Sequence, residues 1–92
     1  MTFQHVEGND RGRIVIYALS TCVWCHMTKS LMKELGVAYF FVDVDTLEGS
    51  EKDQAKADIK RWNPAGSYPT IVIDDREAIS GYDEAEIRGK FA

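Results

Sequence analysis

Both cysteines of the chain lie three residues apart, in Ser20-Thr21-Cys22-Val23-Trp24-Cys25-His26-Met27-Thr28-Lys29, where one hydrophobic pattern stops and another starts. Behind them, Ile14-Val15-Ile16-Tyr17-Ala18-Leu19 is an unbroken β-branched and aromatic run, the pattern of a strand buried on both faces. Ahead of them, Val23, Met27, Leu31 and Leu35 recur at every fourth position and predict an apolar stripe along a helix. The pair is therefore expected where a central strand passes into a helix N-terminus, near Thr21 or Cys22. Residues three apart on a helix are neighbours, so a small adjustment of the first turn brings two such sulfurs into bonding range. Unpaired N–H groups and the positive end of the helix dipole stabilise a thiolate there. Cys-x-x-Cys thiols so placed have pKa values of about 3.5–7.5, against about 8.5 for a free cysteine. The chemistry of the chain is expected at this junction.

Composition narrows the classes. Ninety-two residues make one domain with a single modest core. A net charge of −4 without a Lys/Arg cluster argues against nucleic acid or an anionic membrane surface as partner. No apolar segment approaches the roughly 20 residues of a membrane span. The polar N-terminus, Met1 to Gly12, lacks the apolar core of a secretory signal, so a cytoplasmic protein is expected. In such a chain two cysteines read as a redox or metal pair rather than as a stabilising framework.

Taken in order, residues 1–12 show little periodicity and are expected to form a loose leader on which Phe3 and Val6 can still dock, ahead of a domain over 13–92. A strand over Arg13 to Leu19 precedes a helix from Val23 to Leu35, which Gly36 ends in a left-handed turn. Val37 to Val44 reads as a second strand, and Ser50 with Asp53 as the capping pair of a second helix running to Trp62, with Ala55, Ile59 and Trp62 inward. Asn63 to Pro69 is a loop rich in turn formers. Thr70-Ile71-Val72-Ile73, an Asp74-Asp75 turn and Arg76 to Ser80 read as a hairpin. Gly81 then opens the last helix, with Asp83 at its N-cap, Glu86 at N3, and Tyr82 stapled to Ile87. The order βα, βα, ββα predicts an α/β fold: a βαβ unit, then a hairpin and a helix, with a four-stranded mixed sheet and helices on both faces.

Over Arg13 to Phe91 the chain resembles the thioredoxin superfamily, and within it the glutaredoxins and the redoxins that serve ribonucleotide reductase. Cys22-Val23-Trp24-Cys25 matches the active-site motif, Ser67-Tyr68-Pro69-Thr70 the Thr-Val-Pro turn with its cis proline, and Ser80-Gly81-Tyr82-Asp83 the Gly-Gly-x-Asp turn. The resemblance implies a thioredoxin-like fold and a dithiol oxidoreductase acting on protein or small-molecule disulfides. Cys22 is the implied nucleophile and Cys25 the resolving thiol. The implied substrate-binding residues are Trp24, Tyr68, Pro69, Gly81, Tyr82 and Asp83. Proline costs a strand nothing at its first position, and a cis Pro69 would expose the Tyr68 backbone to a substrate cysteine as a short added strand. The N–H groups of Tyr82 and Asp83 suit a carboxylate at a helix N-terminus, the place where glutaredoxins hold the γ-glutamyl carboxylate of glutathione.

Two departures bear on the electron donor. Leu19 stands where glutaredoxins usually carry Lys or Arg, and the dipeptide between the cysteines is Val-Trp rather than Pro-Tyr or Gly-Pro. The expected partners are disulfide-bearing proteins and a donor that is glutathione, another low-molecular-weight thiol or a reductase; no tightly bound cofactor or metal is expected, and the protein is expected to be a monomer. Alternatives stay open beside this reading. Within the class, Cys22 alone supports a monothiol deglutathionylase or small-thiol transferase. Outside it, Cys22-Val23-Trp24-Cys25-His26 also spells the c-type haem attachment motif, against the absence of an export signal. An iron–sulfur module and a zinc site through His26 and His5 are further options, as are two inert buried cysteines. His26 reads as a helix-surface residue or a modulator of Cys25, Trp62 and Phe40 as packing residues, and Lys29 with Lys33 as a solvated helix face.

Overall fold

Alternation along the two central strands decides the layers. In the computed structural model, which describes all 92 residues, the strand β2 (Ile14–Ala18) is buried along its whole length. Ile14, Ile16 and Ala18 face one cluster, while Val15 and Tyr17 face another. Successive side chains of a strand point to opposite faces, so an all-apolar run must be covered twice. On one face the helices α1 (Val23–Leu35) and α3 (Glu84–Phe91) supply Cys25, Leu31, Met32, Ile87 and Phe91. On the other, α2 (Gly49–Trp62) supplies Ala55 and Ile59, backed by Trp62.

The sheet runs in the order β1-β3-β2-β4-β5. The strand β3 (Tyr39–Asp43) pairs parallel with β2 through the α1 crossover, while β4 (Thr70–Ile73) pairs antiparallel with β2 and with β5 (Glu77–Ser80). Asp74 and Asp75 both take positive φ, 55° and 52°, in the β4–β5 turn, as the mirror-image hairpin turn requires. Gly36 ends α1 with φ 69°, the left-handed cap its position in the sequence predicted. Asp83 caps α3 by accepting the Glu86 N–H at 3.0 Å, and Ile87 is buried behind Tyr82.

Several expectations need correction. The sheet has five strands, not four: Gln4–Val6 of the residues read as a loose leader forms β1, antiparallel to β3. Asn9 then exchanges backbone bonds with Gly36 and Ala38, at 2.7 and 2.9 Å. Gly8 lies so close to this turn that a Cβ would sit 2.6 Å from the Ala38 nitrogen. A three-residue strand carries too little periodicity to be seen in a sequence. The Ser50–Asp53 capping pair does not form, because α2 starts earlier, at Gly49 with φ 58°, and Glu48 makes no side-chain cap bond. The buried stripe of α1 is rotated from the expected one to Cys25, Thr28, Leu31 and Met32. Thr28 tolerates burial because its hydroxyl donates to the Trp24 carbonyl at 2.9 Å. Val23 and Met27 are left 67% and 40% exposed. Phe40 is also exposed, its ring against His5 at 4.7 Å on the β1 edge. No helix is long and apolar enough to cross a membrane.

Candidate active site

The C-terminal end of β2 delivers the chain to α1 through Leu19, Ser20 and Thr21. Cys22 is the N-cap of α1, with extended backbone (φ −88°, ψ 118°), and its Sγ accepts the Cys25 N–H at 3.2 Å. The sulfur thus occupies the place of a capping oxygen. Negative charge developing on it meets a backbone donor and the positive end of the helix dipole. Cys25 lies one turn on, 0% exposed, and both thiols are free. Burial pushes the Cys25 thiol up to about 12, and its bond with Cys22 adds to this. The Leu19 N–H, donating to Cys25 Sγ at 3.5 Å, and the Lys29 ammonium pull the other way. Cys22 keeps part of its surface in solvent at the helix cap, and Cys25 is held as a covered thiol.

The residues expected to bind substrate converge on this point. Gly81 donates its N–H to the Pro69 carbonyl at 2.7 Å, tying the α3 turn to the start of β4. Tyr82 stacks on Trp24 with centroids 5.7 Å apart and planes at 19°, and Trp24 is 56% exposed. Tyr68 packs on both core clusters, one of which holds Cys25. The Tyr68–Pro69 peptide is cis. No backbone partner within the chain takes the N–H or C=O of Tyr68, nor the N–H groups of Tyr82 and Asp83.

His26 is exposed, and its Nε2 lies 2.8 Å from the Ser20 carbonyl, where it donates. Through this bond the imidazole braces the turn that leads into Cys22. Ser20 is held from the other side by Asp45, which accepts the Ser20 N–H at 2.8 Å and also the hydroxyl. These two bonds, the hydroxyl first, hold the Asp45 carboxyl below its ordinary range. A carboxyl depressed in the folded state adds stability above its unfolded pKa and loses it as pH falls through the folded one. Asp45→Ala should therefore lower the urea midpoint near pH 7. The gap to the unsubstituted protein should narrow as pH falls below about 4; a gap that is constant with pH would show that the carboxylate charge does not matter.

Two features of the site lay outside the sequence reading. Lys29 is not part of a solvated face: its Nζ pairs with Asp43 at 3.0 Å, both side chains less than one-fifth exposed, and sits 4.0 Å from the Phe41 ring centroid. This places a fixed cation one helical turn beyond Cys25, and the i, i+4 spacing was the available signal. Asn63, 3% exposed, bonds through Nδ2 to the Ser67 carbonyl, the Ser67 hydroxyl and the Thr70 hydroxyl at 3.3, 2.9 and 3.1 Å. Its Oδ1 accepts the Ala65 N–H at 3.2 Å, and Thr70 Oγ1 donates to the Ser67 carbonyl at 2.9 Å. One side chain thereby shapes the loop that presents Tyr68. His5, the distant option for a metal ligand, pairs with Phe40 level with Val15, toward the end of β2 away from Cys22.

Comparison with known proteins agrees with this geometry. The glutaredoxin family model matches residues 14–78. Glutaredoxin 1 of Rickettsia prowazekii is 31% identical over 71 residues, which cover 77% of this chain and 70% of that protein. The crystal structure of the glutaredoxin of Methanosarcina mazei Go1 superposes with a TM-score of 0.91 at 48% identity, covering 98% of this chain and 87% of that one. Methanoredoxin of Methanosarcina acetivorans gives 0.88 at 48% identity, over 92% of this chain and 90% of its own. By family, fold and the Cys22–Cys25 pair at the α1 start alike, this chain belongs to the glutaredoxins of the thioredoxin superfamily and is a thiol–disulfide oxidoreductase.

Proposed function

We propose that the protein reduces disulfides of protein substrates by a dithiol cycle in which Cys22 attacks and Cys25 resolves. The observation that carries this division is the contrast between the sulfurs: Cys22 Sγ takes the Cys25 N–H at the helix cap, whereas Cys25 is fully covered. The Cys22 thiolate attacks one sulfur of the substrate, the substrate S–S bond breaks, and the leaving thiolate takes a proton. Cys25 then loses its proton, with Lys29 one turn away to favour the anion, and attacks Cys22 Sγ. The second substrate thiol leaves, and the Cys22–Cys25 disulfide is reopened by two equivalents of a small thiol or by a reductase. The free backbone N–H and C=O of Tyr68 support pairing with the substrate chain as a short added strand. Turnover of oxidised 2-mercaptoethanol with different electron donors tests the reading; no turnover with any thiol or reductase would end it.

As a small-thiol donor, glutathione is used weakly. The N–H groups of Tyr82 and Asp83 suit one carboxylate. Leu19, half-buried against the α2-side core, offers no cation for a second, and Asp45, bonded to the neighbouring Ser20, adds negative charge. Leu19→Lys, its stem able to lie along the same apolar surface, should raise activity with glutathione about two- to fivefold. The gain should shrink as salt is raised. A donor without a second carboxylate should respond much less. Equal glutathione activity before and after the substitution would show that this position does not select the donor.

A further inference from the structure

The rotated stripe of α1 leaves an apolar surface that no part of the chain covers. Val23 and Met27 flank the motif cysteines on the outer side of the helix, at 67% and 40% exposure. With Leu31 and the Tyr82 ring they line a groove of about 420 Å³ between α1 and the start of α3. Its near end touches the motif itself, since Val23 adjoins Cys22 and Tyr82 stacks on Trp24. Its far end is charged: Arg88 bonds both Glu34 and Glu84, at 2.5 and 2.7 Å, so two carboxylates surround one guanidinium. All three side chains are between 41% and 61% exposed, and the groove ends with an excess of one negative charge.

We propose that this groove seats the substrate polypeptide on the side of its cysteine away from Tyr68, and that it selects an apolar residue beside the cysteine and a cationic residue about five positions from it. The inference rests on the dithiol reading above. The spacing follows from geometry. Glu34 lies eleven positions after Val23 on α1, a rise of about 16 Å at roughly 1.5 Å per residue. An extended chain covers that distance in about five residues at roughly 3.3 Å each. The apolar neighbour covers Val23 and Met27, and the cation answers the spare carboxylate. A contact at the exposed rim of this kind acts mainly on specificity and encounter rate.

The test uses peptides whose single cysteine is blocked as the mixed disulfide with 2-mercaptoethanol. They carry Leu beside the cysteine and Arg, Gln or Glu five positions away, on either its N- or its C-terminal side. For one of the two polarities, kcat/KM should favour Arg over Glu by about three- to fivefold, with Gln between. The preference should fall toward unity in the double variant Glu34→Gln/Glu84→Gln, each rate taken as a ratio to the turnover of oxidised 2-mercaptoethanol by the same protein. Met27→Ser should lower the same ratio for every Leu-bearing peptide. Calorimetric titration with peptides carrying Ser for Cys should show the same order of affinities without any thiol chemistry. Failure of turnover with an intact order of affinities would therefore count against the dithiol reading and not against the groove. Equal treatment of Arg and Glu peptides in both polarities, or a preference that survives the double variant, would overturn the proposal.

Discussion

Cys22→Ser is expected to abolish reduction of every disulfide, a loss of at least about a thousandfold, because no other nucleophile stands at the α1 cap. Cys25→Ser should behave differently. The first attack should proceed within a small factor of its usual rate, since the Cys25 backbone N–H that bonds Cys22 Sγ at 3.2 Å is untouched. The reaction should then stop at the mixed disulfide, which mass spectrometry of the intact protein would detect as the added substrate mass. Alkylation reports the same division in the unsubstituted protein. Iodoacetamide near neutral pH should modify Cys22 first, while Cys25, buried and with its thiol pushed up to about 12, should react only on unfolding. Preferential modification of Cys25 would reverse the assignment of roles.

The second large effect is expected at a residue that touches neither sulfur through a hydrogen bond. Asn63→Ala removes the donor to Ser67 and Thr70 and the acceptor of the Ala65 N–H. Unmaking buried hydrogen bonds of this kind costs about 1–3 kcal/mol, and for a domain of this size each kcal/mol lowers the melting temperature by about 4–8 °C. Gln54→Ala is the control: its amide bonds only Asp58 on the surface of α2, so it should change stability by no more than about 0.5 kcal/mol. The loop that Asn63 shapes carries Tyr68, so the substitution should also raise KM for a peptide disulfide more than for oxidised 2-mercaptoethanol. A variant with lowered stability but unchanged KM for both substrates would show that Asn63 supports the core alone and does not position the Tyr68 backbone.

Much of the architecture was legible because it depends on local regularities. The run from Ile14 to Leu19 is apolar at every position, and only a strand covered on both faces explains that. Gly36, Asp83 and the Asp74-Asp75 pair are cap and turn residues whose roles follow from their own backbone preferences, and the structure uses each as expected. The errors fall where a periodic pattern allows two answers. On α1 both Val23–Met27 and Cys25–Thr28–Met32 have helical spacing. A threonine and a cysteine count for little in a hydrophobic reading, yet they are the ones buried. Three residues give β1 no period in the sequence, and its pairing with β3 depends on a neighbour in space.

What the sequence determined by itself was the chemistry and its setting: two thiols three apart at a strand-to-helix junction, with a proline-headed strand and a glycine turn to follow. These are fixed by covalent spacing and by the dihedral preferences of single residues, which act over a few positions. The tertiary structure decided the environment of each thiol. Cys25 is covered because the rotation of α1 turns it onto the sheet, and that rotation is the summed result of packing against β2 and α3. Lys29 meets Asp43 across 14 positions, Ser20 meets Asp45 across 25, and Arg88 meets Glu34 across 54. No periodicity spans such separations. A charge or hydrogen-bond partner acts over a few ångströms of space, and only the folded chain brings those groups within reach.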